Sequence, residues 1–271
     1  MDQAEYAALL ADLTAEQEEL DALVANLDER AWSTLTPAEG WTITDQLAHL
    51  AATEEWARLS LDDPDAFRAE LAEYAADPER RAAGYADGRI GRTQPPGTTV
   101  LEWWRTNRKA TVAALRARPH DARVPWFGPD MSVASFATAR VMETWAHGQD
   151  VADALGVVRA PTARLRHVAE IGVRARPFAY VSRGLDVPDR AVRVELRAPD
   201  GARWTWGPPD AADRISGDAL DWCLVATQRR HPSETGLVVT GDAAREWVGI
   251  AQAFAGPPTD HRPPRDAVTP P

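Results

Sequence analysis

Glu143 and His147 stand four residues apart in the stretch Val141 to Leu155, VMETWAHGQDVADAL. On an α-helix that spacing is about 400° of rotation and ~6 Å of rise, so a carboxylate and an imidazole share one face. Such a pair can grip one divalent cation. A second stretch, Thr42 to Ala51 (TITDQLAHLA), offers His49. If the two helices pack together, His49, Glu143 and His147 form a three-ligand metal site with one coordination position left open. Each part also has a plainer explanation. A Glu-x-x-x-His pair is common as an exposed helix ion pair. A lone histidine among small apolar residues is often a core group bonded to a backbone carbonyl. A buried carboxylate beside a buried imidazole can be satisfied by a hydrogen bond alone. The neighbours Trp145 and Ala146 point to partial burial. There is no His-Glu-x-x-His run, no phosphate loop and no dinucleotide fingerprint.

The elements that must position these groups are legible in the periodicity. Leu9, Leu10, Leu13, Leu20, Leu23, Val24 and Leu27 recur at helical spacing, with acidic residues expected opposite. Thr42 with Asp45 reads as a capping-box start for a helix through Leu47, His49 and Leu50 to about Leu61. Pro64 interrupts it, and a shorter helix follows to Ala76. Residues 77 to 98 form a long Gly-, Arg- and Pro-rich connection; its Arg89 and Arg92 either reach an anionic ligand or are solvated surface groups. A third long helix spans Thr99 to Arg118, with Trp103 and Trp104 as packing groups. In the loop that follows, His120 is expected at the surface, and Trp126 and Phe127 either wall a pocket or anchor the loop. The fourth helix runs from Ser132 to Leu155 and stops at Gly156. A fifth, Thr162 to Arg174, carries His167 among charged residues, where solvent exposure is expected. Four long helices with core-facing stripes read as a bundle.

After Pro177 the period changes to two. Val192, Val194 and Leu196 alternate with charged residues; Ala198-Pro199-Asp200-Gly201 is a turn, and Ala202 to Trp206 returns as a hairpin strand. A third strand near Asp213, a helix through Leu224, a strand at Leu237 to Thr240 and a last helix from Asp242 complete a small α+β lobe. The expected organisation is a helical bundle over 1–176, a small α+β domain over 177–256 and a Pro-rich tail over 257–271 with the composition of a disordered segment.

Composition narrows the function. Thirty Lys and Arg against 41 Asp and Glu give a net charge of −11, which disfavours a nucleic-acid partner. No apolar run is long enough to span a bilayer, and the first residues lack a secretory pattern. The single cysteine, Cys223, excludes an intrachain disulfide and falls on an apolar helix face, as a core residue would. These features fit a cytoplasmic protein with a small-molecule substrate. Lysine occurs once, at Lys109, and the Ala, Arg, Asp and Pro bias suggests a GC-rich, actinobacterial type of genome.

WTITDQLAHLAATEEWA followed far downstream by METWAHGQDVADALG resembles the DinB-like superfamily, and within it the mycothiol-dependent maleylpyruvate isomerase group of actinobacteria. The resemblance covers residues 1 to about 175 and is nearest to a subgroup known mainly as metal-binding proteins. It implies an α+β two-domain chain: a DinB-like four-helix bundle, then a small α+β domain similar to sterol carrier proteins. The group's metal ligands fall on His49, Glu143 and His147. Two imidazoles, a carboxylate and an open position suit Zn²⁺; Ni²⁺, Mn²⁺ and Fe²⁺ accept the same donors. The implied cofactor is mycothiol, a low-molecular-weight thiol that would bind as thiolate and attack an electron-poor small molecule, giving isomerisation or S-transfer. The resemblance also implies a C-terminal arginine that meets a substrate carboxylate, for which Arg229 and Arg230 are the candidates. Metal-activated water, making a hydrolase, and a non-catalytic metal-containing ligand binder are the competing readings. Asp45, Gln46 and Asp150 are candidates to orient the ligands, with capping or exposure as the alternative.

Overall fold

A computed structural model describes residues 1–79 and 95–264 of the chain. Arg89, Arg92 and the end of the Pro-rich tail lie outside the described residues. The chain divides into two compact units, Met1–Val158 and Arg159–Pro271.

The first unit is helical. Helix α1 (Gln3–Val24) starts at a capping box in which Asp2 and Glu5 satisfy each other's backbone N–H groups. The short α2 (Glu29–Trp32) is capped by Asp28, and α3 (Ile43–Asp62) starts at the Thr42–Asp45 box. Helix α4 (Pro64–Ala76) carries its proline in the first turn, where no intrahelical N–H is needed. Helix α5 covers Gly97–Arg116. A hairpin of two short strands, β1 (Arg123–Val124) and β2 (Met131–Ser132), leads into α6 (Val133–Leu155). Ser132 caps α6, and Gly156 ends it in the left-handed conformation at φ 67°. Helix α3 packs on α5 and α6, and α1 packs on α5 and α6, so the four long helices enclose one interior.

That interior is apolar at both ends and polar between. One cluster holds Tyr6, Leu13, Trp56, Phe67, Leu115, Trp126 and Phe136; the other holds Leu20, Trp32, Leu47, Leu101, Trp104 and Val151. On α1, α3 and α5 the positions between the two clusters are buried polar residues: Glu16 and Gln17, Glu54, then Arg108 and Thr111. Helix α6 adds Arg140, Thr144 and Asp150. The expected outward-facing acidic side of α1 is thus broken at Glu16, which is only 1% exposed. Trp126 and Phe127 anchor their loop: Trp126 stacks on Phe67 at 5.8 Å and meets Phe136 edge-on at 4.8 Å. His120 is half-buried against the Tyr6 ring at 6.0 Å, not at the surface, because its loop folds back over the start of α1. His167 is likewise half-buried.

The second unit carries α7 (Leu165–Arg174), α8 (Arg176–Val181), β3 (Val192–Arg197), β4 (Arg203–Trp206), β5 (Asp213–Asp218), α9 (Ala219–Ala226), β6 (Val238–Thr240) and α10 (Asp242–Ile250). The sheet order is β4-β3-β5-β6. The β3–β4 and β5–β6 pairs are antiparallel, whereas β3 and β5 run parallel, Val194 facing Ile215. Helix α9 packs on α7. Gly172 lets them approach: a Cβ there would lie 2.8 Å from Ala226 Cβ. The Trp222 indole N–H donates to the Ala169 carbonyl at 3.3 Å. Cys223 is fully buried beside Leu165, and burial pushes its thiol well up, so it is a core group and not a nucleophile. The chain is therefore a helical bundle followed by a smaller α+β unit. No described helix is long and apolar enough to cross a membrane.

Candidate metal centre

Helix α3 brings His49 against the face of α6 that carries Glu143 and His147. The Glu143 Oε2 atom lies 3.4 Å from His147 Nε2 and 3.7 Å from His49 Nε2. The imidazole centroids are 4.5 Å apart, and one donor atom from each of the three residues falls within 4.8 Å of the others. The side chains are 13–17% exposed, so the cluster is largely desolvated but not sealed.

These separations fit a small divalent ion. Ligands at about 2.0–2.1 Å in tetrahedral array have donor atoms ~3.3 Å apart. Burial alone would push the Glu143 carboxyl up. The imidazoles of His147 and His49 outweigh it, with help from Arg140, and hold it well below the usual carboxylate range. Glu143 is thus an anion facing two imidazole nitrogens. Arg140, one turn earlier on α6, is 3% exposed, with its guanidinium carbon 5.1 Å from the Trp126 ring. It also faces Glu54, whose carboxyl burial pushes up.

The wall comes from a loop that the ligand spacing does not reveal. Residues 36 to 41 close a tight turn between α2 and α3. The Thr36 N–H donates to the Trp41 carbonyl at 2.8 Å, and the Trp41 N–H donates to Ala38 at 3.0 Å. Gly40 sits at φ 75°, the left-handed third position that such a turn requires. An isolated bridge between Leu35 and Thr42 seals the base. The turn lays the Trp41 ring nearly parallel to His147, centroids 6.1 Å apart, and tilted on His49 at 5.4 Å.

Of the candidates to orient the ligands, Gln46 touches one. It is fully buried, and its side-chain oxygen lies 2.5 Å from His147 Nδ1. Asp45 is occupied by the cap: its Oδ2 accepts from the Thr42 N–H at 2.8 Å and from the Thr42 hydroxyl at 2.6 Å. Asp150 is fully buried on α6. Arg229 and Arg230 belong to the second unit, just after Gln228, a non-glycine residue at φ 59°. Their guanidinium groups donate to local carbonyls, Arg229 to Thr227 and Arg230 to Arg229, both at 2.7 Å. His231 next to them caps a short 3₁₀ turn.

Comparison with known proteins gives the same picture of the fold. The family model described as the mycothiol maleylpyruvate isomerase N-terminal domain matches residues 13–152. A second model, described as wyosine base formation, matches residues 188–240. Proteins from two strains of Mycobacterium tuberculosis, described only as uncharacterized, are 46% identical over 252 residues, 92% of this chain and 96% of theirs. The crystal structure of the mycothiol-dependent maleylpyruvate isomerase superposes with a TM-score of 0.57 at 17% identity, over 86% of this chain and 92% of that one. A histidine-to-alanine mutant of that enzyme gives 0.57 at 18%, over 88% and 93%. At such identities the superposition speaks for the fold. The first model spans more than half of the chain, and on that ground the protein belongs to the mycothiol maleylpyruvate isomerase N-terminal domain family.

Proposed function

We propose that this protein is a divalent-metal-dependent enzyme that uses a low-molecular-weight thiol, mycothiol, to isomerise or S-conjugate a small electrophile. The observation that carries this reading is the convergence of His49, Glu143 and His147 from two helices. Membership of the family supports the thiol, since the solved relative is a mycothiol-dependent isomerase.

The chain's own groups have definite tasks in this scheme. Two neutral imidazoles and one carboxylate would leave a bound 2+ ion with a net charge of about +1, and the chemistry it would supply is a lowered pKa for a thiol bound beside it. His49, Glu143 and His147 would hold the ion, and their donor set suits Zn²⁺ best. Trp41 covers the two imidazoles and excludes water from their faces. Arg140 balances Glu143 from inside the bundle. Arg229 or Arg230 meets a substrate carboxylate, an assignment that rests on the family resemblance.

The test is metal analysis joined to thiol titration. Purified full-length protein should hold one divalent ion per chain and bind mycothiol only when loaded. His49→Ala should lose both. An unchanged metal content in His49→Ala, or thiol binding indifferent to the ion, refutes the proposal. Turnover of an activated alkene should then depend on both, with KM raised selectively in Arg229→Ala or Arg230→Ala.

A further inference from the structure

The environment of His147 holds a second layer of information. Its Nε2 faces Glu143 and its Nδ1 faces the Gln46 oxygen at 2.5 Å. The Gln46 side-chain amide nitrogen in turn donates to Thr36 Oγ1 at 2.9 Å. The Thr36 hydroxyl spends its one hydrogen on the Trp41 carbonyl, at 2.9 Å. Thr36 therefore meets Gln46 as an acceptor, and Gln46 must turn its nitrogen to Thr36 and its oxygen to His147. A carbonyl oxygen only accepts, so His147 Nδ1 carries a hydrogen, and in the neutral ring Nε2 then presents its lone pair. The Glu143 oxygen 3.4 Å away is also an acceptor. With the ring neutral, two acceptors at that distance are reconciled by a cation between them, a proton or a metal ion.

We propose that Thr36, Gln46 and the Trp41 carbonyl form a positioning relay that fixes the Nδ1-protonated tautomer of His147 and so readies Nε2 for an ion before any ion arrives. The inference rests on the metal-centre reading for its purpose, but the tautomer is a property of the metal-free chain. The relay is local and rigid. All of its atoms come from the 36–41 turn and the first turn of α3, Gln46 is wholly buried, and the same turn supplies the Trp41 wall. Outer groups of this kind fix ring orientation and raise ligand basicity, and their loss typically weakens metal binding by about 10–100-fold.

The experiment has two arms on full-length protein. Long-range ¹H–¹⁵N NMR reads the His147 tautomer in metal-free samples, with His147→Gln for assignment. Competition with a chromophoric chelator reads the affinity for Zn²⁺ and Co²⁺ alone. Wild type should show Nδ1–H. Gln46→Met should lose that tautomer and bind Zn²⁺ about 10–100-fold more weakly. Gln46→Glu restores an acceptor and should keep both the tautomer and an affinity within about threefold of wild type. Thr36→Val frees the amide to turn over, giving mixed tautomers and an intermediate affinity; it stands in should Gln46→Met fail to fold. An Nε2-protonated His147 in wild type, donating to Glu143 with the Gln46 amide reversed, overturns the relay. So does a folded Gln46→Met with unchanged tautomer and affinity. A wild type that takes neither ion overturns the metal reading instead, and the tautomer series still decides the relay.

Discussion

Gly97→Ala should destabilise the helical unit, against the usual sign for a helix. Alanine in place of helical glycine ordinarily gains about 0.5–1 kcal/mol. Gly97 opens α5, and a Cβ built there lies 2.1 Å from both Cγ and Cδ2 of Trp32. Carbon atoms in contact sit at about 3.5–4.0 Å, so the indole would have to retreat by more than ~1 Å. It has nowhere to go: Trp32 is 1% exposed and packed among Leu47, Val100, Leu101 and Trp104. Overpacking of this kind costs about 1–3 kcal/mol, and a clash with a rigid ring belongs at the upper end. The net expectation is a loss of about 2 kcal/mol. With a urea slope of ~1–3 kcal/mol/M, the midpoint should fall by roughly 1 M at unchanged slope. The strain should also be felt at the start of α3, because the Trp32 carbonyl accepts the Thr44 hydroxyl at 3.1 Å in its first turn. Urea unfolding followed by tryptophan fluorescence measures the shift. A midpoint equal to or above wild type would refute the packing argument.

Other expectations follow from the same structure. Zn²⁺ held at 100 times its Kd should add about 2.7 kcal/mol. For a protein of this size that raises the unfolding midpoint by roughly 5–10 °C in scanning calorimetry. His49→Ala should abolish the rise, and an equal rise in that variant would dissociate the effect from this site. Burial pushes the Tyr6 hydroxyl up to about 12, with Arg118 acting the other way, while it donates to the Leu115 carbonyl at 2.9 Å. Its neutral form stabilises the fold fully below pH 10, and that contribution, on the order of 2–3 kcal/mol, is lost as pH rises from 10 toward 12. Tyr6→Phe should flatten this alkaline slope; an identical slope in urea titrations would count against it. Asp21 is held below its ordinary range first by the hydrogen bonds of Arg105, at 2.8 and 2.7 Å, and then by Arg108. Its contribution is present above the ordinary carboxylate pKa and disappears as pH falls through the lowered one. Asp21→Asn should therefore cost about 2 kcal/mol at pH 7 and progressively less as pH falls below the ordinary carboxylate range, with a pH-independent cost excluding the ion pair as cause.

What could be read from the sequence was whatever is written within a few residues. Helix spans, the Thr42–Asp45 box, the Gly156 stop and the β3–β4 turn all depend on local spacing, and the structure has them. Glu143 and His147 belong to this class, since one helix sets their geometry. His49 needed the motif as well, because nothing in spacing says which face of which helix meets it. The Trp41 wall was missed altogether. Its contacts with the imidazoles depend on how a six-residue turn folds, and its position just before the capping threonine was the only clue. Gln46 stood among equals with Asp45 until the cap claimed one and His147 the other. Buried Glu16 reads as part of an outward acidic face, and nothing in the spacing marks Glu54 or Arg140 as buried, because periodicity marks an apolar face and is silent about a polar layer inside a bundle. The parallel pairing of β3 with β5 escaped for a different reason: alternation shows that a strand has two faces but does not name its partner.

The start of α10 depends on a distant residue. Its backbone donors at Ala243 and Ala244 are met by the side chain of Asp213, thirty positions earlier on β5, at 2.8 and 3.3 Å. Gly241 lets that carboxylate come close, since a Cβ there would sit 2.2 Å from its oxygen. A nine-residue helix is too short to persist alone in water. The last helix is therefore stable only on the sheet that caps it, and a peptide cut from 242–250 should remain a coil.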